Sequence, residues 1–178
     1  MGAQVLMLRG INLGPNRRVP MARLRELLTG AGYEDVRTYV QSGNVVLRST
    51  AKPAELERES ERLISEEFGF EVPVIARTRA ELAKVVRANP LGDLADDPKR
   101  YQVSFLSAKL DAETVKALEA RVAESERFVA IGRELYAWHP EGVARSKLWN
   151  SLAGRSLGVT ATARNWTTVT TLLAMAGE

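Results

Sequence analysis

Val36-Arg37-Thr38-Tyr39-Val40-Gln41-Ser42-Gly43-Asn44-Val45-Val46-Leu47 first alternates, then turns, then runs apolar. Val36, Thr38 and Val40 alternate with Arg37 and Tyr39, the two-residue period of a strand with one buried face. Ser42-Gly43 supplies a tight turn, and Val45, Val46 and Leu47 read as a strand buried on both faces. This is a hairpin, and its flanks decide the fold. Upstream, residues 5–8 form another continuous apolar run, followed by a loop to Val19. Pro20 then suits a first helical position, and Met21, Leu24, Leu27 and Leu28 recur at helical spacing until Gly30-Ala31-Gly32. Downstream, Leu56, Leu63, Ile64 and Phe68 lay one apolar stripe on a charged helix that Gly69 ends, and residues 72–75 supply a fourth strand.

The order β-α-β-β-α-β is the split βαβ of a ferredoxin-like fold, in the α+β class. Such a sheet has spatial order 4-1-3-2, so the first and third strands should be central, matching the two most continuous apolar runs. Pro73 cannot donate to a ladder and is expected in the fourth strand at the opposite edge from the second. Thr78 and Glu81 make a capping box for a further helix, which Asn89-Pro90 closes. After a polar linker at 92–100 come a strand (101–106), a helix carrying Val115, Leu118 and Val122, and a hairpin turning at Gly132-Arg133. Short helices near 147–152 and 166–176 follow. The expected organisation is therefore two ferredoxin-like halves. Residues 1–90 form a βαββαβ half with its linking helix, and 91–178 an incomplete βαββ half followed by C-terminal helices.

With 178 residues the chain has ample apolar sequence for a core. It has no Cys and one His, which excludes a thiolate nucleophile and a Cys/His zinc cluster. Glu55, Glu59, Glu66 and Asp96-Asp97 could bind a hard cation but read more simply as a solvated face with Arg58 and Arg62, and no metal or other cofactor is expected. The short apolar run after Met1 lacks a basic leader and stops at Arg9, so the reading is a soluble cytoplasmic protein without a membrane anchor. The net charge of +3 is unevenly spread, since residues 1–50 carry seven Arg against three acids while residues 51–140 carry more acids than bases.

Four stretches stand apart from core patterning. They are Leu8-Arg9-Gly10-Ile11-Asn12-Leu13-Gly14, Thr38-Tyr39-Val40-Gln41-Ser42-Gly43-Asn44-Val45-Val46, Gly142-Val143-Ala144-Arg145-Ser146-Lys147-Leu148, and Ala161-Thr162-Ala163-Arg164-Asn165-Trp166-Thr167-Thr168-Val169. In this order and spacing they resemble the bacterial family called domain of unknown function 1697. The resemblance implies a chain of this length and α/β architecture, and no activity.

Topology joins the first two stretches. The first and second strands run parallel, so the loop leaving one and the hairpin turn leaving the other emerge at the same end of the sheet. Arg9, Gly10, Asn12, Gly14, Gln41, Ser42 and Asn44 should meet there, with Arg17 and Arg18 beside the start of the first helix, where free backbone N–H groups attract anions. In the C-terminal part Arg145, Lys147, Arg155 and Arg164 with Trp149 and Trp166 mix cations and aromatics as nucleic-acid binders do. Trp166 shares one helical face with Val169, Leu172 and Leu173 and reads as packing, which leaves Arg164 and Asn165 as the candidates beside it. His139 has no Ser, Asp or Glu near it in a recognisable pattern and is expected to be a surface or packed residue, and dispensable. The favoured reading is a binding module for a phosphate-bearing ligand, a nucleotide or nucleic acid, at the first strand-to-helix loop. One alternative is an enzyme acting on a phosphorylated small molecule, with Arg9, Arg145 and Lys147 stabilising charge. The other is a structural protein, monomer or homodimer, that pairs through a sheet edge.

Overall fold

The computed structural model describes residues 1–153 and 155–178, leaving out the side chain of Arg155. The chain divides into two units, Met1–Lys84 with Thr171–Glu178, and Val85–Thr170. The division falls inside a helix rather than at Pro90, and the last eight residues group with the first unit.

In the first unit β1 (Gly2–Leu8) lies between β3 (Asn44–Ser49) and β4 (Val74–Thr78), with β2 (Glu34–Tyr39) outside β3. The order β2-β3-β1-β4 is the one that the apolar runs require, and every pairing is antiparallel. Leu6 and Leu8 of β1, Val45 and Leu47 of β3, and Val74 and Ala76 of β4 share one face. They pack with Met21, Leu24 and Leu28 of α1 (Met21–Gly30) and Leu56 and Ile64 of α2 (Pro53–Phe68). Each of these Leu or Ile side chains contributes roughly 1.5–3 kcal/mol by leaving water. Gly69 ends α2 in the left-handed region at φ +80°, and its N–H bonds the Ser65 carbonyl.

Pro73 is not in β4. It precedes the strand, which runs on to Thr78, and its carbonyl accepts the Arg9 N–H at 2.9 Å. The edge position of β4 stands, and its outer amides are covered by a different device. Glu61 and Glu57 of α2 accept the N–H groups of Val74 and Ala76 at 2.9 and 2.8 Å, so the open ladder is satisfied by carboxylates instead of another strand. Thr78 and Glu81 form the expected reciprocal cap on α3 (Arg79–Ala88).

The second unit repeats the topology in full. β5 (Tyr101–Leu106), α4 (Ala112–Glu119), β6 (Arg127–Ile131), β7 (Glu134–Trp138) and α5 (Lys147–Ala153) lead to β8 (Ala161–Asn165) and then α6 (Trp166–Ala176). The sheet order is β6-β7-β5-β8, so the second half is complete, correcting the sequence expectation. Ala161-Thr162-Ala163-Arg164-Asn165 has too little apolar alternation to read as a strand. Its strand character comes from the ladder to β5, where Leu106 faces Ala161 and Gln102 faces Asn165.

The two units match residue by residue at one place. Arg77 of β4 faces Val5, and Arg164 of β8 faces Val103, each beside a Gln-Val pair at equivalent register. Both guanidiniums are buried, and each donates to the carbonyl of the preceding alanine, at 2.9 and 2.8 Å. Each strand then enters a helix through a capping side chain, Thr78 in one case and Asn165 in the other.

Candidate functional site

The parallel relation of β1 and β2 brings the loop at residues 10–18 and the β2-β3 turn together. The Asn12 amide joins them, donating to the Gln41 carbonyl at 2.8 Å and the Val19 carbonyl at 3.0 Å while accepting the Val19 N–H at 2.9 Å. Asn44 is fully buried and donates to the Tyr39 carbonyl at 3.1 Å and to Ser42 Oγ at 2.9 Å. Arg17 bonds the carbonyls of Gly10 and Glu71 and lies over the Phe70 ring at 5.0 Å. These three side chains therefore build the loop.

Gly43 explains why the turn can lie so close. At φ +84° a Cβ there would sit 2.7 Å from Leu8 Cβ and 2.9 Å from Ile11 Cδ1. Gly14, by contrast, has open space and needs no special backbone angle. Facing solvent at this end are Gly10, Gly14, Arg18, Gln41 and Ser42, with Arg9 half-buried. The N–H groups of Leu13, Gly14, Asn16, Arg17 and Arg18 have no hydrogen-bond acceptor among the described residues. Beside them Leu13 is 86 % exposed, and Val40, a β-branched residue held at φ +52°, is 53 % exposed.

The C-terminal candidates separate within the second unit. Arg164 is buried in β8, bonded to Thr162 Oγ1 at 2.7 Å, and burial pushes its guanidinium down to about 10, still a cation at neutral pH. Asn165 caps α6 by accepting the Thr168 N–H at 2.9 Å. Arg145 and Lys147 instead line a pocket of about 250 Å³ together with Arg121, Ser146, Glu126 and Glu141. A wider pocket of about 460 Å³ between α4 and the β6-β7 hairpin holds no candidate from the sequence.

Behind the smaller pocket lies a buried polar cluster that sequence reading missed. Glu126 Oε2 is 2.5 Å from His139 Nδ1 and accepts Ser146 Oγ–H at 2.6 Å, while Oε1 accepts the Ala123 N–H at 3.1 Å. Burial works against the Glu126 carboxylate, but the bonds from Ser146, His139 and the Ala123 amide outweigh it and hold its pKa below the usual range. Ser146 Oγ also accepts the Trp149 N–H at 3.0 Å, and the Trp149 ring meets the His139 ring edge-on. Of the surface and packed positions expected for it, His139 takes the packed one, and it is not isolated. Its partners lie thirteen residues before it and, through Glu126, seven after it, a spacing without helical or strand period. The serine bonds the carboxylate rather than the imidazole, so this is no nucleophile-base pair. Among the described residues no group of three or more His, Asp or Glu is placed to hold a metal ion, and no helix is long and apolar enough to cross a membrane.

The family model described as "Protein of unknown function (DUF1697)" matches residues 1–136. The chain belongs to this family. No curated protein matches it. Among solved structures it is similar to the conserved bacterial protein SP0830 from Streptococcus pneumoniae, at 24 % identity and a TM-score of 0.77 over 98 % of both chains. That likeness carries the fold. Family membership places the loop at residues 10–18, the β2-β3 turn and Glu126 inside the matched region, and Arg145, Lys147, Arg164 and Asn165 beyond it.

Proposed function

We propose that this protein is a cytoplasmic binding module for a phosphate-bearing ligand, a nucleotide unit free or within a nucleic-acid strand, held where the β1-α1 loop meets the β2-β3 turn. The observation that carries this reading is the Asn12 bridge to Gln41, which fixes a loop of exposed residues whose amides lack an acceptor among the described residues. A loop already ordered loses little entropy on binding, and backbone N–H groups beside Arg9 and Arg18 suit phosphate oxygens. Exposed Leu13 and Val40 offer apolar contact to a base or sugar at the same end. Asn12, Arg17 and Asn44 act by shaping the site, while Arg9, Gly10, Gly14, Arg18, Gln41 and Ser42 face the ligand.

Titration of ATP and of a short single-stranded RNA, each at two salt concentrations, tests this. Arg18→Ala should weaken binding by about 1.5–3 kcal/mol, the range for a charge-assisted hydrogen bond. Binding of the RNA should also fall with salt. Absence of binding by both probes, or affinity unchanged in Arg18→Ala and Arg9→Ala alike, would refute the reading.

A further inference from the structure

Three cations line one small pocket of the second unit, and none of them is ion-paired with either of the two acids that share it. Elsewhere Arg23, Arg37, Arg62 and Arg100 each have a carboxylate within ion-pair distance. Arg121, Arg145 and Lys147 line one pocket of about 250 Å³, and none makes an ion pair or side-chain hydrogen bond among the described residues. Like charges lining one pocket repel, and a bound anion offsets that repulsion. Two acids share the lining, Glu126, buried with its oxygens accepting three donors, and Glu141, exposed and unpaired with any of the three, so the cations outnumber the acids by one.

The walls are fixed independently of any ligand. The Glu126 cluster ties the segment carrying Ala123 and Glu126 to Ser146, at the start of α5, and to His139, at the end of β7. The intervening turn is held by Gly142 N–H on the His139 carbonyl at 2.9 Å and Ser146 N–H on the Val143 carbonyl at 3.1 Å. Arg121 and Arg145 thus approach the pocket from two segments that one carboxylate holds together. A volume this small is below that of a drug-sized site. It suits a phosphate group with a few carbons attached.

We infer that this pocket binds a small phosphomonoester, whose phosphate bridges Arg121, Arg145 and Lys147 over the Glu126-His139-Ser146 cluster. The pocket is built within the second unit alone, and the inference does not depend on the β1-α1 reading. The test is calorimetric titration of the whole protein with glycerol 3-phosphate and with inorganic phosphate, glycerol serving as the uncharged control. Saturable binding of glycerol 3-phosphate is expected, weakened at least about tenfold by Arg145→Ala and by Lys147→Ala. Arg58→Ala, at an exposed position of α2 in the first unit, should leave it unchanged. Both variants alter exposed side chains, so retained folding is checked by an unchanged thermal transition. No saturable binding of either phosphate, equal affinity for glycerol, or affinity unchanged in both pocket variants would overturn the inference. Loss in Arg18→Ala alone would overturn it too, and would leave the β1-α1 reading standing.

Discussion

Replacing Glu126 with alanine removes the acceptor for two buried donors at once. His139 Nδ1 loses its partner at 2.5 Å on a side chain that is wholly buried, and its Nε2 already has none. Ser146 Oγ loses its acceptor at 2.6 Å, while the Ala123 amide lies on an exposed residue and can turn to water. A buried donor left unmade costs about 1–3 kcal/mol, so Glu126→Ala should lower stability by roughly 2–6 kcal/mol, against a total of about 5–15 for a typical domain. Glu126→Gln keeps the shape and forfeits one of the two bonds, so it should cost about half as much. All three tryptophans, Trp138, Trp149 and Trp166, belong to the second unit, so denaturant titration followed by tryptophan fluorescence reads that unit. The acid limb supplies a second measurement. Because the folded Glu126 carboxyl lies below its ordinary value near 4.3, its contribution is present above that pH and is lost as pH falls through the folded value. Wild type should therefore lose stability more steeply on acidification than Glu126→Gln. A Glu126→Ala variant within about 0.5 kcal/mol of wild type at neutral pH, or parallel acid limbs, would refute this account of the cluster.

Two further outcomes follow from the first unit. Gly43→Ala combines a left-handed backbone, worth about 1–2 kcal/mol, with overpacking against Leu8 and Ile11, worth about 1–3, and should lower the unfolding free energy by about 2–5 kcal/mol, read as a lower denaturation midpoint. Wild-type stability in that variant would show that the turn does not approach β1 as described. Asn12→Ala removes three hydrogen bonds that knit residues 10–18 to the turn, and should speed amide exchange at Val19, whose N–H the Asn12 side chain accepts, while costing about 1–3 kcal/mol. Exchange unchanged at Val19 would show that the loop is held by something else.

Much of the fold could be read from local pattern because burial imposes a period. β1 and β3 sit at the centre of a sheet and are apolar on both faces, β2 at the edge alternates, and Thr78-x-x-Glu81 caps a helix wherever it lands. That the 10–18 loop and the 41–44 turn share an end also followed from strand direction alone. β8 escaped because its small and polar residues owe their extended form to β5, a partner more than fifty residues away. The cationic pocket and its floor escaped for the same reason. Arg145 and Lys147 stood out by type, but Arg121 is ordinary in sequence. Nothing local joins Glu126 to His139 and Ser146, since only the closing of the β6-β7 hairpin and the turn into α5 brings the three to hydrogen-bond distance. Periodic burial is encoded residue by residue, whereas a polar cluster is selected by the tertiary contacts that exclude water from it, and those exist only once the chain has folded.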